Sequence, residues 1–397
     1  MVEYFMELVE IKEGLGTFFI SPPKLSDEVP RRSDKVFFNV YQEINRDFSV
    51  LALRAYALKN NKSELKICEP LCGSGIRSCR YAIETPSSRI FCNDLNLNAI
   101  KVAKKNINIL SKENSEKIRL FNMEANLFLK KLNMEDLVFD FVDIDPYGTP
   151  IPFVQNSIQL VTSKGLLAFT ATDLASLVGL YPKALYAKYS ISQYDIRIGN
   201  VHEIATRALI TGIQHVGLTV NQSLIPILSF YHRHFVRCFF IRFRGVDRVV
   251  NQIGFINYCD ICQTRFSSLL GEKNLTCPNC DSLISFKIGP LFLGRIQNEE
   301  YLSLMLNDKH LLNLGTRKRL IKLLLCMVEE TSIELPWSFE IPILAQKIGV
   351  TVPSVRKLIF KLTEKGYNCH RTHFSGTCLK TDAQEKEIVS IINSLKS

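Results

Sequence analysis

The chain has 397 residues, more than one ordinary hydrophobic core accommodates, so we expect two domains, with or without a small additional segment. Its 46% hydrophobic and 22% charged residues are typical of a globular protein, and no stretch approaches the roughly 18 uninterrupted apolar residues of a membrane span. The net charge of +10 permits an anionic partner such as nucleic acid but does not require one.

The N-terminal residues and the cysteines indicate the cellular compartment. Glu3, Glu7 and Glu10 lie among apolar residues, which fits neither a secretory signal nor an acid-poor transit peptide. The twelve cysteines include two tight pairs, a distribution that favours buried thiols and a metal site over a secreted disulfide framework. We expect a soluble cytoplasmic protein without a membrane partner, with nucleus or organelle left open for a eukaryote.

The predicted elements begin with a segment from Phe37 to Leu58, which has helical spacing after Asn45 and serves as an N-terminal cover. From about residue 65 to 245, short apolar runs alternate with helical stretches, as in a parallel α/β sheet. The last two predicted strands form an antiparallel edge pair. The predicted strands are Leu65–Leu71, Arg89–Asn93, Ile118–Asn122, Leu137–Ile144, Gly165–Thr172, Val216–Phe230 and Phe235–Arg244.

The chain changes character after the sheet. Residues 255–285 are rich in Cys, Asn, Ser and Asp, which indicates a small metal-stapled unit. Further on, Thr316–Glu330 is predicted as an amphipathic helix. Ile341–Gly349 and Val352–Gly366 follow as helix, turn and helix, a winged-helix-like pattern. We expect domains at 1–250, 251–288 and 289–397.

A glycine-rich turn follows the first predicted strand, in the segment from Glu69 to Gly75. Small residues at Gly73 and Gly75 allow a sharp turn and a close backbone approach to a ligand. Asp94 follows Gly73 by twenty-one residues, at the end of the second strand, where a carboxylate accepts ribose hydroxyl groups. A turn that merely packs helix on sheet is the alternative, but the pairing with Asp94 favours a nucleoside cofactor.

The type of cofactor is indicated by what the turn lacks. Ser78 occupies the position of the third glycine in the pyrophosphate-binding fingerprint. Glu69, at the end of the strand, repels a pyrophosphate but tolerates a sulfonium group. Glu124 and Ala125 follow the third strand, where an adenine edge is read. The sequence therefore predicts S-adenosylmethionine and a Rossmann-like sheet of the class I methyltransferase type.

A second motif, Asp143 to Pro150, follows the fourth predicted strand. Pro146 stiffens the turn and presents the Asp145 carboxylate and the Tyr147 ring in fixed relation. An exocyclic base amine is a poor nucleophile, and a carboxylate that accepts its hydrogen bond and proton activates it. An aromatic face stacks an unpaired base, with about 1–3 kcal/mol per contact. The alternatives are a helix cap or a pair with a lysine.

Four cysteines have the spacing of a structural zinc site. Two C-x2-C pairs separated by fourteen residues provide four thiolates, which complete a closed tetrahedral site. Unliganded or disulfide-bonded thiols are the alternative. The ligands are Cys259, Cys262, Cys277 and Cys280.

With these motifs, the chain resembles the tRNA dimethyltransferases that convert guanosine 26 to N2,N2-dimethylguanosine. The resemblance extends over nearly the whole chain. The matching segments are Glu10-x2-Glu13-Gly14, Val36–Asn39, Asn45–Asp47, the glycine turn through Arg77, Asn93–Asn96, Asp143–Gly148, Ala171–Asp173, Lys188–Tyr189, His202–Glu203, Gly289–Leu291, Arg371–Phe374 and Leu379–Asp382.

The resemblance implies roles for individual residues. Asp145 matches the catalytic carboxylate, and Phe37 and Tyr147 match the two aromatic residues that sandwich the target guanine. The positions that match cofactor-binding residues are Arg46, Arg77, Asp94, Glu124 and Ala125. The chain departs from the family in carrying Tyr147 for the commoner Phe, Glu124 for Asp and Val40 for Pro, and the first two departures preserve ring and carboxylate chemistry.

The function predicted from these features is transfer of one and then two methyl groups to guanosine N2 in tRNA by a monomeric enzyme. Arg371, His373 and Lys380, on the final segment, are expected to contact tRNA phosphates. Two alternatives stay open: methylation of another base amine, such as adenine N6, and a catalytically silent RNA-binding protein.

Overall fold

The computed structural model describes residues 7–22, 36, 38–192, 200–272, 276–284 and 286–395. Its strands are β1 Val9–Glu13, β2 Gly16–Ile20, β3 Leu65–Glu69, β4 Ser87–Asn93, β5 Ile118–Phe121, β6 Phe139–Ile144, β7 Val161–Ala171, β8 Gln222–His232, β9 Phe235–Arg244, β10 Ile253–Tyr258, β11 Arg265–Leu269, β12 Phe286–Phe292, β13 Phe339–Glu340, β14 Cys369–Arg371 and β15 Cys378–Thr381.

The helices are α1 Glu43–Lys59, α2 Ile76–Glu84, α3 Leu97–Asn108, α4 Lys112–Glu116, α5 Ala125–Met134, α6 Ile151–Leu160, α7 Leu174–Leu177, α8 Pro182–Tyr189, α9 Val201–Thr219, α10 Asp247–Val250, α11 Glu299–Asn307, α12 Arg317–Glu330, α13 Ile341–Lys347, α14 Val355–Glu364 and α15 Glu385–Ser394. Short 3-10 helices cover Val40–Gln42 and Lys309–Asn313.

The chain divides into two compact units. The catalytic unit, as we call it, comprises the described residues up to Thr170 together with Ser303–Lys322. The second unit comprises Ala171–Leu302 and the residues from Leu323 onward. This division differs from the boundaries expected at 250 and 288, and the three-part functional division stays a prediction.

The catalytic unit contains five parallel strands in the order β5-β4-β3-β6-β7. This is the Rossmann order, in which the order of strands across the sheet reverses between the first and fourth strands, here β3 and β6. All six residues of β6 are buried, as expected for a central strand covered on both faces. Because ligands bind at the carboxyl ends of strands beside such a reversal, the two predicted motifs lie at the right edge. The Rossmann-like prediction is confirmed.

An N-terminal hairpin and α1 complete the catalytic unit. β1 and β2 pair antiparallel, with Glu13 opposite Gly16 at the turn. Most residues of α1 are buried, including the polar Asn45, Arg46 and Asp47. Helix α1 confirms the helical part of the predicted N-terminal cover, whereas the hairpin was not predicted.

One predicted strand was wrong at its start. Residues from Val216 were assigned to a strand, but α9 continues to Thr219 and β8 begins at Gln222. The β-prone residues here complete a helix whose buried residues extend from Glu203 to Gly217. A Cβ at Gly217 would lie 3.0 Å from the Gln222 carbonyl oxygen, so the glycine permits the close return of the chain.

The second unit contains three antiparallel arrangements. β8 and β9 form the predicted pair, and β10 lies between β11 and β12. The C-terminal part has the sheet order β13-β15-β14 beside α13, α14 and α15, which matches the predicted winged-helix-like pattern. Within the described residues, no helix is long and apolar enough to span a membrane.

Candidate functional site

The glycine turn lies between β3 and α2 and has left-handed backbone at two glycines. Gly73 has φ 52° and Gly75 has φ 74°, values that side chains disfavour. A Cβ at Gly75 would also lie 2.9 Å from the Cβ of Ala103 on α3. Both the backbone conformation and the packing against α3 therefore require glycine at this position. The turn therefore exposes backbone at the sheet edge while α2 packs closely against α3.

Asp94 is held at this turn by backbone amides, as its spacing predicts. The Gly73 N–H donates to Asp94 Oδ2 at 2.8 Å, and the Asn96 N–H donates to Asp94 Oδ1 at 2.8 Å. Asp94 is partly exposed. Each carboxylate oxygen has a second lone pair that can accept another hydrogen bond. The amides therefore orient Asp94 so that it can accept from the hydroxyl groups of a ribose.

Asn93 supports this edge. It is fully buried, and its side chain donates to the Pro70 and Met123 carbonyl oxygens, both at 3.0 Å. It also accepts from the Met123 N–H at 2.9 Å. Asn93 thus links the ends of three neighbouring strands, a contribution that sequence reasoning did not assign to it.

Glu124 and Ala125 lie at the start of α5, after β5. Glu124 is the N-cap residue, and its Oε2 accepts the Leu127 N–H at 2.8 Å. Ala125 is buried. The neighbouring Asn122 donates to the Asp94 carbonyl oxygen at 2.8 Å, so the structure brings the predicted adenine and ribose positions to adjacent strand ends.

Arg77 is the centre of a buried charge cluster below the two motifs. Its Nη2 donates to Asp145 Oδ2, and the carboxylates of Asp143 and Glu69 each lie 3.5 Å from its other nitrogens. Burial lowers the pKa of Arg77, but Asp143 and Asp145 outweigh burial and hold it well above its usual value. The guanidinium is therefore permanently charged and fixes the Asp145 carboxylate at the sheet edge.

Two residues of α1 orient Arg77 from the opposite side. Asn45 Oδ1 and Ser49 Oγ each accept from its Nη1 at 3.1 Å. The Asn45 amide nitrogen is buried and donates no hydrogen bond among the described residues. Such an unpaired donor beside a guanidinium fits the carboxylate of an amino-acid-like ligand.

Glu69 is buried below the turn rather than at its surface. Ser78 Oγ donates to Glu69 Oε2, which links β3 to α2. Burial raises the pKa of Glu69 to about 8, Arg77 opposes the increase, and Asp143 adds to it. The raised pKa shifts Glu69 towards its neutral form and so reduces the negative charge of the cluster.

Asp143 is fully buried one pleat below Asp145. It accepts a hydrogen bond from the Tyr81 hydroxyl at 2.6 Å. Of the two aspartates, only Asp145 reaches solvent, with 13% of its side chain exposed. Asp145 is therefore the carboxylate of this pair that a substrate can contact.

Arg46 is held by the N-terminal hairpin. Its Nε and Nη2 donate to the two carboxylate oxygens of Glu13, each at 2.6 Å. Arg80 Nη1 also lies 2.9 Å from Glu13. Burial raises the pKa of Glu13, but the Arg46 and Arg80 charges outweigh burial and lower it to about 2. Glu13 had appeared in the sequence only as part of a family motif, without a role.

The structure describes one of the two aromatic residues predicted to stack on the target base. Tyr147 lies between Pro146 and Gly148, whose φ is 80°, and is 41% exposed. Phe37 lies outside the described residues. The structure thus places one exposed ring two residues beyond Asp145.

The four cysteines of the second unit converge. Their sulfur atoms all lie within 4.8 Å of one another, and the closest pairs are Cys262–Cys277 at 3.5 Å and Cys259–Cys280 at 3.6 Å. With zinc–sulfur bonds of about 2.3 Å, a tetrahedral site requires sulfur separations of this size. The four cysteines could therefore hold zinc.

The two cysteine loops have the same local design. Gln263 and Asp281, each following the second cysteine of its pair, have φ 62° and 58°. One residue further, Thr264 and Ser282 place their hydroxyls 3.2 Å and 3.4 Å from the preceding cysteine sulfur. Hydroxyls at this position stabilise a thiolate.

Two of the three residues expected to bind tRNA have buried side chains that contact glutamate carboxylates. Lys380 is 4% exposed and lies 3.1 Å from Glu203, and the buried His373 ring lies 2.8 Å from Glu330. Burial raises the pKa of Glu203, but Lys380 and Arg207 outweigh burial and lower it to about 2. The side chains of Lys380 and His373 therefore make contacts within the second unit, and of the three residues only Arg371 is exposed.

The sheet order, the glycine turn with Asp94 and the Asp145-Pro146-Tyr147 edge define an S-adenosylmethionine-dependent methyltransferase. The model of the family described as "N2,N2-dimethylguanosine tRNA methyltransferase" matches residues 19–393. The chain belongs to this family, as the resemblance predicted.

Relatives and a solved structure agree with this assignment. The chain is 32% identical to the tRNA (guanine(26)-N(2)/guanine(27)-N(2))-dimethyltransferase of Aquifex aeolicus, over 98% of this chain and 96% of that protein. It is 30% identical to the tRNA (guanine(26)-N(2))-dimethyltransferase of Methanopyrus kandleri, over 98% of each. It also matches Trm1 from Pyrococcus horikoshii, solved with S-adenosyl-L-methionine, with TM-score 0.80 and 26% identity over 96% of this chain and 99% of that one.

Proposed function

We propose that the protein transfers one and then two methyl groups from S-adenosylmethionine to N2 of guanosine 26 in tRNA. Family membership supports the reaction, and the geometry around Asp145 supports its chemistry. The observation that carries the proposal is that the buried Arg77 fixes the Asp145 carboxylate beside a glycine turn of the kind that binds nucleoside cofactors.

Asp145 accepts a hydrogen bond from the guanine amine. Its Oδ2 is bound by Arg77, so Oδ1 is the oxygen that we assign as the acceptor. The acceptor draws electron density onto N2 and aligns its lone pair with the incoming methyl group. The amine proton becomes strongly acidic once the N–C bond forms, and it then leaves to Asp145 or to water.

Tyr147 provides one face of the guanine site, and Phe37 provides the other. The exposed Tyr147 ring follows Asp145 by two residues, so a base stacked on it presents its amine edge to the carboxylate. Tyrosine retains the stacking face of the commoner phenylalanine.

The cofactor is held by residues around the glycine turn. Asp94 binds the ribose hydroxyls, Glu124 and Ala125 lie at the adenine, and the backbone of Gly73 and Gly75 approaches the chain of the methionine. Arg46 and Arg77 bind its carboxylate. Glu69 lies below the turn and supports α2. When bound, S-adenosylmethionine supplies an electrophilic methyl group on a sulfonium.

Arg46 retains capacity for this carboxylate. Its contacts to the Asn39 carbonyl oxygen are long, at 3.3 Å, in contrast to 2.6 Å for Glu13. A ligand carboxylate replaces the long contacts while Glu13 keeps the guanidinium in place.

We also propose that zinc occupies the site formed by the four cysteines, that the protein is a cytoplasmic monomer, and that residues 289–397 contact tRNA through Arg371. The closed set of four sulfur ligands is typical of structural zinc. The proposed role of the metal is to staple the loops between β10 and β12.

The test is methylation of unmodified tRNA by recombinant enzyme and S-adenosylmethionine, followed by nucleoside mass spectrometry. We expect N2-methylguanosine first and N2,N2-dimethylguanosine later. N6-methyladenosine would indicate a different base amine. The absence of any methylated nucleoside, in spite of cofactor binding by calorimetry, would contradict the proposal.

A further inference from the structure

A group of cations on the catalytic unit has no role in the site described above. The segment from Asp308 to Lys322 contains one carboxylate and five basic side chains, all five of which are exposed. We call these five the 309–322 basic surface: Lys309, Arg317, Lys318, Arg319 and Lys322.

These cations lack neutralising partners. Within the described part of the chain, no ion pair within 4.0 Å involves any of the five, and the single carboxylate, Asp308, is bound by Arg54 at 2.7 Å. Elsewhere on this unit, the exposed Lys112 lies 3.9 Å from Glu116, one helical turn away. The 309–322 basic surface is therefore a local excess of positive charge.

Folding does not account for this arrangement. Arg317, Lys318 and Arg319 are the first three residues of α12, and the first turn contains no acidic residue. Cations at a helix N-terminus oppose the macrodipole and destabilise the helix. The same geometry strengthens the positive potential outside the helix, which favours an extended polyanion.

The segment is anchored firmly to the catalytic unit. Arg54 Nε and Nη2 donate to the two oxygens of Asp308, and the His310 ring lies 2.8 Å from Glu84. Thr316 donates from its N–H at 3.0 Å and from its hydroxyl at 2.6 Å to Asp47 Oδ2. The cations thus project from a fixed platform instead of a loose loop.

This platform is connected to the cofactor edge. Asp47 follows Arg46 on α1, and its Oδ1 lies 2.6 Å from Arg80, which also contacts Glu13. A continuous series of polar contacts therefore runs from Thr316 to the glutamate that orients Arg46. A substrate held on the basic surface therefore lies on the same compact unit as Asp145 and the glycine turn.

We propose that the 309–322 basic surface binds the phosphate backbone of the tRNA substrate. The inference rests on the proposed function, and it moves part of the phosphate contact from the C-terminal strands, where Lys380 is buried, to the catalytic unit itself. Lysine and arginine contacts to phosphate release counterions, so they position the RNA and make its affinity depend on salt.

The experiment compares two triple variants with equal charge change. One is Arg317→Gln/Lys318→Gln/Arg319→Gln, and the control is Lys101→Gln/Lys112→Gln/Lys130→Gln, three exposed lysines on separate helices of the same unit. The Kd for unmodified tRNA is measured over a series of salt concentrations, together with the Kd for S-adenosylmethionine and kcat at saturating tRNA.

We expect the first variant to bind tRNA about tenfold or more weakly at low salt. The slope of log Kd plotted against log salt concentration should fall by about 2–3. Each lost phosphate contact lowers this slope by about 0.7–0.9. Cofactor Kd and saturating kcat should be unchanged. If the first variant loses cofactor binding, the single Lys318→Gln variant replaces it, with an expected slope change of about 1.

An equal tRNA Kd and slope in the two triple variants, with wild-type enzyme active, would overturn the inference and leave the proposed function standing. A wild-type enzyme that methylates no tRNA would instead overturn the proposed function. The two failures are therefore distinguishable.

Discussion

Two regions of the molecule contain family-typical charged residues, and the fold uses them differently. Arg77 and Asp145 lie at the carboxyl edge of a parallel sheet, and a fraction of Asp145 remains open to solvent. Lys380 lies within β15, a strand whose four residues are all buried, and is paired with Glu203. A strand end presents its side chains to a ligand, whereas a strand interior commits them to the core.

The comparison teaches that a charged residue in a motif is assigned its role by its position on the fold. Both regions contain buried ion pairs, and removal of one partner from such a pair leaves an uncompensated charge. In the catalytic unit this charge cluster orients Asp145, the carboxylate that we propose acts on the amine. In the C-terminal region, the buried ion pair between Lys380 and Glu203 only holds secondary-structure elements together.

The largest expected effect comes from the reacting carboxylate. Asp145→Ala should lower kcat by about 10²–10⁴-fold, since the amine loses its acceptor. Asp145→Asn, which retains an acceptor oxygen but no charge, should lie between this variant and wild type. Single-turnover methyl transfer measures both variants, and calorimetry should show that each still binds S-adenosylmethionine. Full activity of Asp145→Ala would contradict the assignment.

The second prediction concerns the contrasting region. Lys380→Ala should lower the free energy of unfolding by about 1.5–3 kcal/mol, because the buried Glu203 loses one charged hydrogen bond and retains only Arg207 as its cation. Urea unfolding measures this loss. The exposed Lys386→Ala is the matched control and should change stability by less than about 0.5 kcal/mol. If Lys380→Ala instead retained its stability and lost only tRNA affinity, the structural role would be wrong.

The third prediction sharpens the role of the hairpin. Glu13→Gln should raise KM for S-adenosylmethionine about tenfold, because a charged hydrogen bond to Arg46 is worth about 1.5–3 kcal/mol. kcat should change less, since Glu13 does not touch the reacting atoms. Glu10→Gln, at an exposed position of the same strand, is the control. Equal falls in kcat for both variants would speak against a positioning role.

The fourth prediction is a pair of opposite pH dependences. The pKa of Glu13 in the folded state is about 2, below its ordinary value of 4.5. Its contribution to the free energy of unfolding is therefore fully present above pH 4.5 and is lost as pH falls through 2. The folded pKa of Glu69 is about 8, above 4.5, so it binds an extra proton in the folded state and stability falls as pH rises from 4.5 to 8.

Chemical unfolding over this pH range separates the two groups. Glu69→Gln should flatten the decline between pH 4.5 and 8, and Glu13→Gln should flatten the rise between pH 2 and 4.5. A Glu69→Gln variant with the slope of wild type would show that another group titrates there.

Much of this site could be predicted because its residues follow strands at fixed intervals. Asp94 lies twenty-one residues after Gly73, and their hydrogen bond confirms what that spacing indicated about their proximity. Glu13 could not be assigned in this way, because its contact with Arg46 spans 33 residues and depends on how the hairpin packs. Nothing local in the sequence specifies such a contact.

The errors have the same physical origin. The residues from Val216 to Thr219 have β-prone neighbours, but the packing of α9 overrides that preference. Lys380 was expected to contact phosphate as one of the basic residues on the final segment, whereas its side chain is buried. Its burial depends on Glu203, which is 177 residues away in the chain.

The central claim, that Asp145 activates the N2 amine of guanosine 26, is tested most directly by changing the base. Methyl transfer is measured on three tRNAs that differ only at position 26, which carries guanosine, inosine or adenosine. Because inosine lacks the exocyclic amine, we predict methylation of the guanosine tRNA alone. Comparable methyl transfer to the inosine or adenosine tRNA would contradict the account.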